Sequence, residues 1–419
     1  MKIHLLCLTL FYAITSFSLH GFAIASKGEW QPANCCGIKE INYLLKYYEL
    51  KGVWGSSSKD LFIVGMKKSQ YRPEGIILHF NGNKWRIIKE TDFRLNCIWG
   101  TSANHVFVGG GKLASSGSRK SSESIILHYN GEDWQQMEFE QDPRYAYRSR
   151  RLSLSKNPNN FYEGGPPIVS IWGGSEDNIY AAGNGSGSPI FHFDGQIWVK
   201  MDSDRSPYLK DIHGASDQNI YAVGTAGSGK MMHYDGISWT PLRKGEFNAV
   251  WCSQFGTVFA VGDNGKILHY NSETWDETEL ETTLYDVYGI ADNDVYVVGK
   301  KGSIFHYDGK TWHQMDSGTE KHLYAIWAST PAAIYAVGGD GTILRYANKS
   351  EKKTRWEPSE AKKEKAEAVV EKKYEIRLKD GRTIVTRLQW EEGNFVCYHK
   401  YGATMKLPKS DIKEIVIVE

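Results

Sequence analysis

The sequence predicts an all-β fold, a seven-bladed β-propeller of four-stranded blades, from a repeated motif and its period. The motif starts with [IV]-W-G, continues with Y-A-V-G and ends with I-L-H-Y-D-G-x-x-W. Its aromatic position, which is histidine in one repeat, recurs at Trp54, Trp99, Trp172, His213, Trp251, Tyr288 and Trp327. These positions lie 37 to 45 residues apart except for one gap of 73, which matches the ~40-residue period of propeller blades. The wide gap indicates an insertion between the second and third repeats.

Each repeat predicts four short strands, named A to D in chain order. Strand A carries the aromatic position, strand B the Y-A-V-G run and strand C the I-L-H-Y run. Asn-Gly or Asp-Gly dipeptides after strand C favour the positive φ angles of tight hairpin turns. Strand D is expected to begin at Trp85, Trp134, Trp198, Trp239, Trp275, Trp312 and Trp356. Because Gly28-Glu29-Trp30 also resembles the start of a strand D, the N-terminal region is an alternative source of the last outer strand.

The composition agrees with this fold class. The 419 residues include 42 glycines, 14 tryptophans and 24 tyrosines, which suits an aromatic, turn-rich β-protein. The formal net charge is +1, so overall charge gives no reason to expect a nucleic-acid partner.

The N-terminus has the features of a secretory signal peptide. Lys2 precedes an apolar stretch from Ile3 to Leu19, and Ala23-Ile24-Ala25 is a small-residue cleavage pattern. An uncleaved membrane anchor is the alternative, but the apolar stretch is short. We therefore expect export to the periplasm or the exterior, with no transmembrane segment after cleavage. The predicted domains are a signal peptide (1–25), a partly helical extension (26–49), the propeller (50–357), a charged helical linker (358–373) and a small β-barrel-like module (374–419).

The cysteines and histidines predict no metal or cofactor site. Cys97 and Cys252 fall on strands A of distant repeats and should stay unpaired in the core. The adjacent Cys35 and Cys36 could bond to each other, reach Cys397 or remain reduced, and no nearby residue completes a metal-ligand set. Six histidines share one position on strand C, with arginine in the seventh repeat: His79, His128, His192, His233, His269, His306 and Arg345. Such positions are spread around a ring, so a structural hydrogen bond within each blade is predicted.

Two motifs resemble those of known families. The segments H-Y-D-G-K-T-W (306–312) and F-D-G-Q-I-W (193–198) resemble degenerate Asp-box turns of the BNR type. The whole repeat is similar to those of exported bacterial propellers of the sialidase-like and photosystem II assembly-factor-like groups. The segments 379–382, 391–393, 398–402 and 408–415 resemble a small C-terminal β module of exported proteobacterial proteins. The resemblance implies a bacterial envelope protein and no particular activity.

The sequence does not predict an enzyme. Gly224 to Lys230 matches most of a phosphate-binding loop, but Met231 replaces the expected Ser or Thr and a strand follows instead of a helix. A sialidase-like site would need clustered arginines, a carboxylate and a tyrosine near the axis, whereas the strand-A motif presents Trp, Leu and Val.

Three long connections carry the candidate binding residues. They span 66–75, 110–124 and 135–167, and strand order predicts them all on the side of the ring with the B–C and D–A connections, here called the loop face. The candidates are Lys67, Lys68, Tyr71, Arg72, Lys112, Arg119, Lys120, Arg144, Tyr145, Tyr147, Arg148, Arg150 and Arg151. Cations with aromatic neighbours on loops suit an anionic or protein ligand, and a solvated insertion is the alternative.

These observations predict an exported, monomeric, non-catalytic binding or assembly scaffold. Its partner would be a protein or an anionic glycan of the cell envelope. The alternative is a carbohydrate-active propeller, either a sialidase-like hydrolase or a lectin, with its ligand near the ring axis.

Overall fold

The structure, a computed structural model, confirms a propeller of seven blades. It describes residues 28–33, 38–68, 74–112, 122–140, 162–163, 165–185, 189–203, 208–225, 230–348, 373–379, 383–386, 389–392, 395–400 and 403–418. Seven antiparallel sheets follow one another along the chain, and their strands A contact each other in a closed cycle. Within those ranges, no helix is long and apolar enough to cross a bilayer.

The elements follow in chain order. The chain starts with β1 (Gly28–Pro32) and α1 (Ile38–Leu45). Blade 1 contains β2 (Tyr48–Ser57), β3 (Asp60–Lys67), β4 (Gly75–Phe80) and β5 (Trp85–Thr91). Blade 2 contains β6 (Arg94–Ser102), β7 (His105–Lys112), β8 (Glu123–Tyr129), β9 (Trp134–Gln136) and β10 (Tyr162–Glu163). Blade 3 contains β11 (Ile168–Ser175), β12 (Asn178–Gly183), β13 (Ile190–Phe193) and β14 (Trp198–Lys200), and blade 4 contains β15 (Leu209–Ser216), β16 (Asn219–Gly224), β17 (Lys230–Tyr234) and β18 (Trp239–Lys244).

The remaining blades have short 3₁₀ turns between strands B and C. Blade 5 contains β19 (Ala249–Cys252), β20 (Thr257–Val261), β21 (Lys266–Asn271) and β22 (Trp275–Glu279). Blade 6 contains β23 (Leu284–Ala291), β24 (Asp294–Gly299), β25 (Ile304–Tyr307) and β26 (Trp312–Met315). Blade 7 contains β27 (Leu323–Thr330), β28 (Ala333–Gly338) and β29 (Ile343–Asn348). The 3₁₀ turns span Asp263–Gly265, Lys300–Gly302 and Gly339–Gly341.

The N-terminal strand β1 completes blade 7. It pairs antiparallel with β29, from Gly28 opposite Asn348 to Pro32 opposite Leu344. The sequence predicts 26–49 as an extension before the propeller and starts the last strand D at Trp356, with the region of Trp30 as the alternative source of this strand. Trp356 lies outside the described residues. The structure confirms the alternative, because β1 occupies the outer position and Trp30 is buried against Tyr346 (ring centroids 5.4 Å apart). The helix expected before the ring is present as α1.

Neighbouring blades pack through the aromatic position of strand A. The ring of one blade covers the residue that follows the aromatic position in the next blade, and a Cβ on a glycine there would clash with it. The pairs with glycine are Trp54–Gly100, Trp99–Gly173, Trp172–Gly214, Trp251–Gly289 and Trp327–Gly55. Where the ring is smaller, the partner is larger: Tyr288 is followed in the next blade by Ala328, and His213 by Cys252. The size of one side chain therefore determines which residue the next blade tolerates.

The insertion between blades 2 and 3 leaves from within strand D of blade 2. β9 and β10 both pair with β8, so they share the outer position of this blade. Between them, Phe139 crosses to blade 3, where it is buried against Phe191 and Trp198. Sequence analysis instead treats 135–167 as a connection that follows a complete strand D. The burial of Phe139 accounts for the difference, because it draws the chain away from the edge of blade 2.

The C-terminal residues form a separate small β module. One sheet contains β30 (Lys373–Leu378), β31 (Thr383–Thr386) and β35 (Ile412–Val418), and the other contains β32 (Gln389–Glu392), β33 (Phe395–Lys400) and β34 (Ala403–Pro408). Ile376, Leu378 and Val396 are its buried core. The described residues of this module form six strands.

Candidate binding site at the mouth of the channel

The seven strands A line an axial channel with a cavity of about 400 Å³. Two layers of channel-lining residues are defined by their sequence position relative to the aromatic residue of strand A. The third residue before it occupies the rim position, and the second residue before it occupies the inner position. The rim residues are Lys51, Asn96, Val169, Lys210, Asn248, Tyr285 and Tyr324, and the inner residues are Gly52, Cys97, Ser170, Asp211, Ala249, Asp286 and Ala325. Because strand A begins on the loop face, the rim is the mouth of the channel on that face.

Blades 6, 7 and 1 form an aromatic and cationic arc at the mouth. The Nζ atom of Lys51 lies 2.7 Å from Glu49 Oε2 and 3.4 Å from the centre of the Tyr324 ring. The rings of Tyr285 and Tyr324 are 5.5 Å apart between centroids. Burial raises the pKa of Tyr324 to about 12, so its hydroxyl stays neutral and donates to Glu49 Oε1 (3.5 Å). The arc can therefore contact both apolar and charged groups of a ligand.

The opposite side of the mouth carries an exposed cation. Lys210 is exposed on blade 4, and it lines one cavity with Lys51, Tyr285 and Tyr324. Burial lowers the pKa of Lys51, and the charges of Lys210 and Arg94 lower it further while Glu49 acts in the opposite direction. The cations of the mouth therefore lie close enough to act on each other. Because Lys51 is paired with Glu49, the exposed Lys210 is the cation of the mouth that can pair with an anionic group of a ligand.

Below the mouth, two carboxylates bridge adjacent blades. Asp211 Oδ2 accepts a hydrogen bond from the N–H of Val250 in the next blade (2.8 Å), and Oδ1 accepts from Ser170 Oγ (2.6 Å). In the same way, Asp286 Oδ2 accepts from the N–H of Ile326 in the next blade (2.8 Å). Each Asp also accepts from the N–H of its own following residue. These bonds link the inner strands, whose edges have no further strand to pair with.

Burial in the channel wall shifts the pKa values of Asp211, Asp286 and His213 away from their ordinary values. Burial raises the pKa of Asp211 to about 6, although its hydrogen bonds act in the opposite direction. Burial also raises the pKa of Asp286, and the charge of Asp211 adds to this effect. His213 is the aromatic-position residue of blade 4, and burial lowers its pKa to about 4. Its neutral Nδ1 accepts from the N–H of Cys252 (3.2 Å). Burial thus shifts both carboxyls toward the protonated form relative to a free aspartate, and shifts His213 toward the neutral form.

Asp211→Asn is expected to make stability less dependent on pH between about 4 and 6. The folded-state pKa of Asp211 lies above the ordinary value of 3.8. The protonated carboxyl therefore stabilises the fold most at low pH, and that contribution, about 3 kcal/mol, is lost as the pH rises through 6. Denaturant unfolding of both proteins at several pH values measures it. His213 acts in the opposite sense in both proteins and cancels in their difference, which reports Asp211 together with its effect on the pKa of Asp286. A difference that stays constant with pH would contradict the assignment.

Of the sequence-predicted site residues, the structure describes three, and all form ion pairs. Lys67 Nζ is 2.5 Å from Glu74 Oε2, Lys68 pairs with Asp340, and Lys112 Nζ is 3.3 Å from Asp92 Oδ2. The other ten, which lie outside the described residues, are Tyr71, Arg72, Arg119, Lys120, Arg144, Tyr145, Tyr147, Arg148, Arg150 and Arg151. The proposed cluster of these residues therefore stays a prediction.

Four of the six histidines on strand C make the predicted structural hydrogen bond within their blade. Their Nε2 atoms lie 2.6–2.8 Å from an oxygen of the first residue of strand B in four blades, namely His79–Asp60, His192–Asn178, His233–Asn219 and His306–Asp294. His128 contacts His105 instead (3.3 Å), and His269 stacks on Phe259 with centroids 4.1 Å apart. In the described part of the chain, no group of three or more His, Cys, Asp or Glu side chains could hold a metal ion. Cys97 and Cys252 are free and buried, as predicted.

The channel residues are the part of the site that sequence analysis misses. It describes strand A as Trp, Leu and Val, whereas the structure also places Lys51, Lys210, Asp211 and Asp286 in the channel. The sequence signal for the channel residues was the pair of variable positions between a leucine and the [IV]-W-G start of the motif. They read Lys-Asp after Leu209 and Tyr-Asp after Leu284.

No protein-family model matches the chain, and neither does any curated protein sequence. Among solved structures, it is similar to YCF48 bound to D1 peptide (16% identity, TM-score 0.53, 77% of this chain and 96% of that one). It is also similar to YCF48 from Cyanidioschyzon merolae (13% identity, TM-score 0.52, 76% and 98%). The WD40 β-propeller domain of Doa1 is a third (11% identity, TM-score 0.50, 74% and 95%). At these identities the likeness establishes the propeller fold.

Proposed function

We propose that this chain is a non-catalytic scaffold that binds a protein partner at the channel mouth on the loop face. The mouth itself carries the proposal. It combines the neighbouring Tyr285 and Tyr324 rings, which are tilted by 43° to each other, with Lys51 and the exposed Lys210 around one open cavity. Mixed aromatic and cationic surfaces of this kind are typical of protein interfaces. The cationic loops 66–75, 110–124 and 135–167 would extend the surface outward.

A polypeptide fits the mouth better than an anionic glycan does. Lys51 is already paired with Glu49, so the mouth holds charges of both signs. A polypeptide offers apolar, aromatic and charged groups to match, whereas a polyanion would meet the carboxylates of Glu49 and Asp263. One solved structure of similar fold, YCF48, contains a bound D1 peptide. This precedent supports a peptide ligand for a propeller of this shape.

The carboxylates of the channel support a binding role over glycoside hydrolysis. A glycosidase needs two carboxyl groups that face the scissile bond. The oxygens of Asp211 and Asp286 instead accept backbone hydrogen bonds that join blades 4 to 5 and 6 to 7. The carbohydrate-active alternative predicts cleavage of a fluorogenic sialoside or a signal on a glycan array, and we expect neither.

The proposal includes export, on the evidence of the N-terminal sequence. Residues 1–25 combine a basic start, an apolar stretch and a cleavage pattern. A partner would then belong to the cell envelope, and the scaffold would act as a monomer.

Photo-crosslinking tests where the partner binds. A crosslinking amino acid at position 210 is expected to give a discrete adduct in cells, and one at Ile237, in a C–D turn on the opposite face, is expected to give none. Protease should degrade the adduct, whereas loss after glycosidase treatment would indicate a glycan. Lys210→Glu should reduce partner affinity by about tenfold or more. The matched control is Lys310→Glu, because Lys310 is an exposed lysine in a C–D turn. Equal effects of the two charge reversals would contradict the proposal.

The loop residues provide a second arm of the same test. Arg148→Glu with Arg151→Glu should weaken retention on an anionic polymer and flatten its salt dependence if these loops contribute to binding. Tyr145 and Tyr147 would add stacking surface. Unchanged binding would restrict the site to the channel mouth.

A further inference from the structure

Each strand A has one edge that faces the channel. The backbone N–H groups on these edges are capped by side chains in some blades and not in others, as far as the structure describes them. In every blade, the residue directly before the aromatic position has the same register with strand B. In blades 4 to 7 its N–H is capped by a side-chain oxygen. Ile212 donates to Ser170 Oγ (3.2 Å), Val250 to Asp211, Val287 to Asp286 and Ile326 to Asp286. The N–H at this position therefore points to the channel side of strand A, away from strand B.

Among the residues that the structure describes, no side-chain oxygen caps this N–H in blades 1 to 3. The cap in blades 4, 5 and 7 comes from the inner position of the preceding blade. For Val53, Ile98 and Ile171 that residue is Ala325, Gly52 and Cys97, respectively, and none of these carries a side-chain oxygen. A Cβ on Gly52 would lie 3.3 Å from the nitrogen of Ile98, which shows how close the missing cap would be. The Cys97 thiol is engaged with the N–H of Gly109 in its own blade. Three adjacent N–H donors thus follow one another along one wall.

Contacts on the other side of the channel show which chemical group can accept a hydrogen bond from such an N–H donor. Across the channel, carboxylate oxygens accept the equivalent N–H groups at 2.8 Å, from Val250 to Asp211 and from Ile326 to Asp286. A carboxylate can accept several N–H bonds at once, and charged hydrogen bonds are stronger than neutral ones. Lys51 lines the channel on the same wall, at the rim position of blade 1. A cation and the uncapped donors therefore share one side of the channel, opposite the carboxylates of blades 4 and 6.

We infer that the wall formed by Val53, Ile98 and Ile171 binds a carboxylate of the partner, from a peptide C-terminus or an acidic side chain inserted through the mouth. This inference rests on the proposed function in one respect, because the carboxylate would belong to the polypeptide docked at the rim. The ligand carboxylate would supply the cap that Ser170, Asp211 and Asp286 supply elsewhere. These donors make the site selective, since a ligand without an acceptor would leave them unpaired.

Amide NMR with acetate as the probe tests the wall directly. Titration of the full chain at constant ionic strength should shift the amide signals of Val53, Ile98 and Ile171 and leave those of Val250 and Ile326 unchanged. Acetyl-triglycine with a free carboxylate should give the same pattern at lower concentration than its amide. Absence of shifts at the three amides, or equal shifts at the capped ones, would overturn the inference.

Two matched substitutions each add a carboxylate to the channel, one beside an uncapped N–H and one beside a capped N–H. Ala325→Asp should cap Val53 internally and raise the apparent Kd for acetate by about tenfold. Ala249→Asp adds the same charge next to Val287, whose N–H is already capped, and should change the Kd by less than twofold. If Ala325→Asp does not fold, Ala325→Ser offers a neutral cap like Ser170 and should raise the Kd about threefold. Equal effects of the two Asp variants would show a general charge effect and overturn the inference. Lys210→Glu tests the proposed function separately. We expect this variant to lose partner binding and to keep acetate binding.

Discussion

Trp251→Ala is expected to lower the free energy of unfolding of the propeller by about 3–5 kcal/mol. The indole is 6% exposed, packs near Phe259 (centroids 6.4 Å apart) and covers Gly289 of blade 6. Its removal leaves a cavity at an interface between blades, where backbone on both sides is fixed by sheets. Denaturant unfolding followed by tryptophan fluorescence and circular dichroism measures the loss. Trp390→Ala, in the C-terminal module, is the control and should leave the propeller transition unchanged. Similar losses in the two variants would contradict a separate module.

Enlarging the residue that the indole covers in blade 6 tests the same contact from the other blade. Gly289→Ala should destabilise by about 1–3 kcal/mol, because its Cβ has no room beside the indole. In a Trp251→Tyr background the added cost should largely disappear, since Tyr288 and Ala328 form such a pair one interface further on. Additive effects in the double variant would show that the two residues do not share one space.

The repeat motif was sufficient to predict the ring because its fixed letters are the residues that every blade needs. The tryptophan at the start of strand D begins β5, β9, β14, β18, β22 and β26, as predicted. A glycine follows the aromatic position in five blades, where the indole of the preceding blade covers it. Local sequence and local packing agree at these positions, so one chain contains enough copies to reveal them.

The channel could not be predicted in the same way. Its residues occupy the variable letters of the motif, and the role of each depends on a neighbour in another blade. Asp211, for example, is explained by the N–H of Val250 and the hydroxyl of Ser170, which are about 40 residues away in either direction. A motif read one repeat at a time cannot show this relation. The insertion itself was predicted from the wide gap, but its exit point from blade 2 was not, because that point depends on the contact of Phe139 with Trp198 in blade 3.

Ring closure by β1 leads to the second large effect. Deletion of residues 28–33 should destabilise the propeller by more than Trp30→Ala alone, for which we expect about 3–5 kcal/mol. The deletion removes the strand pairing from Gly28 to Pro32 and the bond from Ala33 N–H to the Ile343 carbonyl (2.9 Å). It also uncovers Tyr346, which is 2% exposed, and leaves β29 as an unpaired edge. Hydrogen exchange of β29 amides and the melting temperature report the change.

A peptide supplied in trans distinguishes closure from a general loss of stability. A synthetic peptide of residues 27–34 should restore both the melting temperature and the protection of β29 in the deletion variant, because β1 joins blade 7 through one edge only. Binding adds stability as the peptide concentration exceeds its dissociation constant. The same peptide with Trp30→Ala should restore little, since the indole supplies the contact with Tyr346. Equal rescue by both peptides would assign closure to the backbone pairing, and no rescue by either would mean that the ring closes without this strand.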